Sequence, residues 1–180
     1  MAGMTRSPAP AFRLCFVCTG NICRSPMAEV IFRELTNTAG LAELISIDSA
    51  GTGEWHVGEK ADPRTRAALK RIGYSGEQHR AKQFDPARFE DYDLILTFDR
   101  GQQRALRAWA DTDEQRALIT PLLSFHPSPD AGEEIPDPYY GDDDLFDDVR
   151  DLIECACQGL LAQLEPVVRQ AARDTSGDAN

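Results

Sequence analysis

Between an apolar run, Leu14 to Val17, and a helix-like run that opens at Pro26 lies the octet Cys18-Thr19-Gly20-Asn21-Ile22-Cys23-Arg24-Ser25, which constrains this chain more than any other stretch. A cysteine followed six positions later by arginine, across a short loop from strand to helix, is what a site needs to attack phosphorus with sulfur. Backbone N–H groups, a helix N-terminus and a guanidinium each favour a thiolate at neutral pH. The same donors suit a phosphate dianion, because the amides converge and Arg24 offers a planar fork matched to two oxygens. Gly20 permits a positive φ where the chain must curl, and Asn21 tolerates left-handed geometry. Ser25-Pro26 reads as a helix cap followed by a first helical residue. On spacing alone, a buried strand-end cysteine followed by an ordinary turn is an equal alternative.

The rest of the chain reads as strands alternating with helices. Leu14–Val17, Ile45–Ser49, Leu94–Phe98 and Ala117–Leu123 are predicted strands, the last weakened by Pro121. Helices are predicted from Pro26 to about Thr38, from Asp62-Pro63 to Gly73, from Asp99 through Trp109, and from near Asp143, with Pro166 ending or kinking the last. That pattern predicts an α/β fold of three layers, α-β-α. A central four-stranded parallel sheet carries the site at its strand carboxyl ends, with the phosphate loop between the first strand and first helix. Residues 1–12 are expected to be a flexible lead-in, 13–165 the single domain, and 166–180 the helix end and a polar tail that frays from Ala172.

Val17-Cys-Thr-Gly-Asn-Ile-Cys-Arg-Ser-Pro-Met-Ala-Glu29 resembles the signature of the low-molecular-weight protein tyrosine phosphatases. Ser49-Ala50-Gly51-Thr52, Trp55, His79-Arg80-Ala81 and Asp137-Pro138-Tyr139-Tyr140 follow in that family's order and spacing. The resemblance spans roughly Arg13 to Leu164. It implies hydrolysis of phosphotyrosine in proteins through a cysteinyl-phosphate, with Cys18 as nucleophile, Arg24 as phosphate clamp and Asp137 as general acid and then base. Thr19, Gly20, Asn21, Ile22, Cys23 and Ser25 complete the phosphate loop, and Ser49 and His79 brace it from beneath. Without the resemblance, Asp-Pro is turn chemistry and His79 a surface loop residue. Trp55, Tyr139 and Tyr140 are candidate walls of an aromatic slot. Gln102 departs from the family pattern, which often has asparagine three residues after the aspartate at Asp99.

No cofactor or metal is called for, and three histidines without ligand spacing agree with this. The acids from Asp142 to Asp148 read as a solvated helix start. A net charge of −11 argues against nucleic acid as the main partner, yet leaves room for a phosphorylated protein held in a local cradle. Five cysteines form no disulfide framework, so a reducing, cytoplasmic compartment is expected, with leaderless export left open. Cys15 and Cys18 fall on opposite strand faces, whereas Cys23 is close enough in the loop to form a protective disulfide with Cys18. No run is long enough for a membrane span, and a monomer is expected. Tyr139 and Tyr140 are also candidate sites for a tyrosine kinase. Phosphoarginine hydrolysis, arsenate reduction and inactive phosphotyrosine binding are the rival readings. Ile22, where phosphoarginine enzymes of this type resemble the loop but carry threonine, favours an aryl phosphate. The absence of cysteine between Arg80 and Ile119 disfavours a reductase.

Overall fold

A computed structural model of the chain describes residues 9–177. Four strands, β1 (Phe12–Cys18), β2 (Ile45–Gly51), β3 (Leu94–Thr97) and β4 (Ile119–Pro121), form one parallel sheet in the order β2-β1-β3-β4. Parallel strands need crossovers, and the intervening helices supply them: α1 (Arg24–Thr38), α2 (Pro63–Arg71), α3 (Arg100–Trp109) and α4 (Asp113–Ala117), while α5 (Asp143–Gly177) follows the last strand. β1 lies inside the sheet, with β2 on one side and β3 on the other. The chain therefore reverses its winding direction at the carboxyl end of β1, where open α/β sheets leave a crevice.

Alternation along β1 divides the core. Leu14, Phe16 and Cys18 face a cluster built with Met27, Ile31 and Phe32 of α1, Leu69 of α2, and Phe146, Ile153 and Leu160 of α5. Cys15 and Val17 face a smaller cluster with Phe84, Phe89, Ile95 and Leu106 of α3. The predicted three layers and the opposite facing of Cys15 and Cys18 are both observed.

Four local expectations need correction. β4 is shorter than predicted and follows the short helix α4, capped by Thr112, whose hydroxyl accepts the Gln115 amide at 3.1 Å. Proline has no amide to give the ladder, so Pro121 ends the strand. Ser25 does not cap α1: the helix starts at Arg24, two residues before the expected Pro26, and the Ser25 hydroxyl is spent on Cys18 and Asn21 of the loop. Of the end or kink expected at Pro166, the end is not observed, since α5 runs on to Gly177. Proline removes one donor, but the next turn is secured by Val168, which is buried, by a Glu165–Arg169 ion pair, and by the Arg169 guanidinium donating to the Ala39 carbonyl at 2.8 Å. The tail expected to fray from Ala172 is accordingly helical as far as Gly177. Of the proposed lead-in, residues 1–8 lie outside the described residues, and Phe12 already belongs to β1.

No helix among the described residues is long and apolar enough to cross a membrane.

Candidate active site

The loop after β1 is anchored by its carbonyls. Those of Cys18 and Thr19 accept the amides of Thr52 and Gly53, that of Asn21 accepts His79 Nε2–H at 2.7 Å, and that of Ile22 accepts the Asp62 amide at 2.8 Å. Within a planar trans peptide the N–H points away from the C=O. Fixing these carbonyls to the body of the protein therefore turns the amides that follow them toward the inside of the loop. Gly51, at the end of β2, permits this close approach: a Cβ there would stand 2.7 Å from the Thr19 carbonyl oxygen and 3.1 Å from the Asn21 amide.

Asn21 has φ = 56°, the one non-glycine residue at positive φ among those described. Its side chain justifies the strain. Nδ2 donates to Ser25 Oγ (2.8 Å) and Ser49 Oγ (3.0 Å), and Oδ1 accepts the Lys82 amide (2.9 Å). Ser25 Oγ then lies 2.9 Å from Cys18 Sγ, within reach to donate to a thiolate. Beneath, Ser49 donates to Glu29 Oε2 at 2.7 Å, and His79 Nδ1 lies 3.4 Å from the same oxygen. Burial opposes the charge on Glu29, but hydrogen bonds from His79, Ser49 and Arg33 outweigh it and bring its carboxyl down to about 2. Ser49 and His79 thus both contact Asn21 of the loop, and Glu29 joins the two.

Arg24 is almost fully buried, and its guanidinium is committed on one side. Nη1 donates to Asp99 Oδ2 (2.8 Å) and to the Ile135 carbonyl (2.9 Å), while Nη2 lies 3.5 Å from Asp137 Oδ2. Burial opposes ionisation of Asp99 too, but Arg24, Gln102 and the Gly101 amide hold its carboxyl below the usual range. In the sequence alone, Asp99 marks only a helix start. It does cap α3, in a capping box with Gln102, and it orients Arg24 as well. Gln102, the departure from the family pattern, keeps the contact at that helix start: Oε1 accepts the Asp99 amide at 2.8 Å, and Nε2 reaches Thr19 Oγ1 at 2.9 Å.

Cys18, Thr19, Gly20, Ile22, Cys23, Arg24, Asp137, Trp55, Tyr139 and Tyr140 line a single cleft of about 340 Å³. His56, which carried no sequence signal, lines it too. The Tyr139 and Tyr140 rings meet edge to face at 4.9 Å, and His56 stands 6.3 Å from Tyr139. Trp55 is 70 % exposed and Tyr140 94 %, so both form a rim rather than an inner wall. Asn21, Ser25, Ser49 and His79 stay outside the cleft and act through the loop.

The sequence profile of the low molecular weight phosphotyrosine protein phosphatase family matches residues 13–170. The chain belongs to that family. It is 48% identical over 162 residues to the low molecular weight protein-tyrosine-phosphatase of Streptomyces coelicolor, covering 89% of this chain and 98% of the relative. Among solved structures, the protein tyrosine phosphatase of Entamoeba histolytica with Hepes in its active site superposes with a TM-score of 0.81 at 34% identity, covering 86% of this chain and 97% of that one. YfkJ of Bacillus subtilis gives 0.80 at 38%, covering 86% and 95%.

In this phosphatase Cys15 and Cys157 are structural by their surroundings, fully buried in the two core clusters. Burial pushes the thiols of Cys15, Cys23 and Cys157 well up, so all three remain protonated. Cys155 is half-buried on α5.

Proposed function

We propose that this phosphatase hydrolyses phosphotyrosine in proteins, with Cys18, Arg24 and Asp137 as its reacting groups. The observation that carries the reading is their convergence on one cleft, with Ser25 Oγ 2.9 Å behind the sulfur and Asp137 3.5 Å from the guanidinium. Cys18 Sγ attacks phosphorus in line as the bond to the tyrosine oxygen breaks, and Asp137 delivers its proton to that oxygen. Water then attacks the cysteinyl-phosphate, losing a proton to the Asp137 carboxylate, and inorganic phosphate leaves with Cys18 restored. The loop amides and Arg24 hold the equatorial oxygens throughout, so stabilisation is electrostatic and positional. Ile22, an apolar wall of the cleft, suits an aryl ring better than a guanidino group.

Steady-state hydrolysis of an aryl phosphate tests the assignment. Cys18→Ser is expected to abolish turnover, and Asp137→Ala to lower kcat about 10²- to 10⁴-fold, the usual worth of a general acid. Equal activity in all three proteins removes the mechanism.

The same reading takes Cys23 as the thiol that captures a Cys18 sulfenic acid, forming a disulfide and releasing water. Peroxide inactivation should then be reversed by thiol in the parent protein and become irreversible in Cys23→Ser. Equal recovery in both ends that role. A phosphotyrosine protein as substrate, a cytoplasmic monomer, and a tyrosine kinase acting on the exposed Tyr139 or Tyr140 complete the proposal.

A further inference from the structure

Asp62 and Arg64 lie outside the cleft, yet they touch both loops that build it. The Asp62 amide donates to the Ile22 carbonyl of the nucleophile loop at 2.8 Å. Its buried carboxylate accepts Arg64 Nε at 3.1 Å and Nη2 at 3.0 Å, a paired fork that also starts α2. Two of the three remaining N–H groups of the guanidinium are spent on the acid loop: Nη1 donates to the Gly141 carbonyl at 3.0 Å and Nη2 to that of Tyr139 at 2.9 Å. Its plane is set by Phe146, a fully buried residue of α5 whose ring centre is 4.5 Å away. Tyr139 completes the path, because its own amide donates to Asp137 Oδ1 at 3.1 Å.

We propose that Arg64 is a positioning residue: clamped by Asp62, it fixes the Tyr139–Gly141 backbone and thereby sets where Asp137 stands relative to Cys18. The role rests on the assignment of Asp137 as proton donor. A half-exposed carboxylate on a segment without helix or strand has few constraints of its own. The guanidinium supplies them from a rigid helix start, and a fork that serves three acceptors at once is a task for arginine, which lysine's point charge cannot copy.

The test separates proton delivery from the rest of the chemistry. Pre-steady-state release of the aryl group is measured for two substrates: a phosphotyrosine peptide, whose leaving oxygen needs a proton, and a dinitrophenyl phosphate, whose phenolate leaves without one. Arg64→Ala is expected to slow release from the peptide about 10- to 100-fold, the cost of a misplaced catalytic group, and to leave the nitro substrate within about threefold. Arg64→Lys should show the same selectivity to a smaller degree, which keeps the test alive should the alanine variant fold poorly. In an Asp137→Ala background, Arg64→Ala should add less than about twofold, as expected of residues acting as a unit.

If Asp137→Ala itself slows both substrates alike, Asp137 is not the donor and Arg64 has nothing to position. If Asp137→Ala discriminates between them while both Arg64 variants do not, the donor stands and the positioning role falls.

Discussion

Glu29 shows how much can rest on a residue that touches no substrate. It accepts from Ser49 and Arg33 and lies beside His79, and these contacts hold the support of Asn21 in place. Its carboxyl, near 4.5 in an unstructured chain, is held at about 2 in the fold. A depressed pKa contributes stability that is complete above about pH 4.5, declines as pH falls, and is gone below about pH 2. The contribution at neutral pH is at most about 3 kcal/mol. Glu29→Gln should therefore unfold at lower urea concentration at pH 7 by about 1–3 kcal/mol and show a flatter loss of stability between pH 4.5 and 2. An unchanged slope across that range would mean that Glu29 does not carry the linkage. The residues of the octet were legible because their types and order are chemically specific. Glu29, Asp99 and His56 were not, since a carboxylate or imidazole becomes a partner only once the fold brings distant segments together.

At the scale of elements, α5 beyond Pro166 is the clearest departure from expectation. Proline reads as a stop when only local chemistry is considered, but Val168 is buried on the main core and Arg169 donates back to the end of α1 at Ala39. Tertiary packing outweighs one missing helical bond. Ending the chain after Glu165 should lower stability by about 2 kcal/mol, the worth of a buried valine, while leaving aryl phosphate turnover per folded molecule unchanged. An unchanged urea midpoint would show the last turns to be idle. Long periodic elements such as α1 and the body of α5 were read from their apolar spacing. β4 was overextended because Ala117-Leu118 are as apolar as a strand residue, and nothing local distinguishes that run from the end of α4.

For the molecule as a whole, an anion-handling cleft sits in a chain of net charge −11. The phosphate dianion must cross a repulsive field before it meets the loop. Raising ionic strength from about 0.01 to 0.15 M shortens the screening length from about 30 to 8 Å. With a salt whose anion does not compete for the loop, kcat/KM for an aryl phosphate should rise about two- to threefold. A fall instead would mean that the local field of Arg24 and the amides dominates the approach. The layer order was legible from the alternation of strands and helices. The link between the two loops that line the cleft was not, because Asp62 and Arg64 read as an ordinary helix start until Tyr139 and Gly141 arrive beside them.

Asp137 and two of the cleft's aromatic residues belong to one uninterrupted run of four, Asp137-Pro138-Tyr139-Tyr140. Reshaping the grip on a ligand's ring at 139 or 140 therefore drags the neighbouring carboxyl along. On the roles proposed above, selectivity and turnover are inherited together, and a library varied at those two tyrosines would trade one against the other instead of tuning each alone.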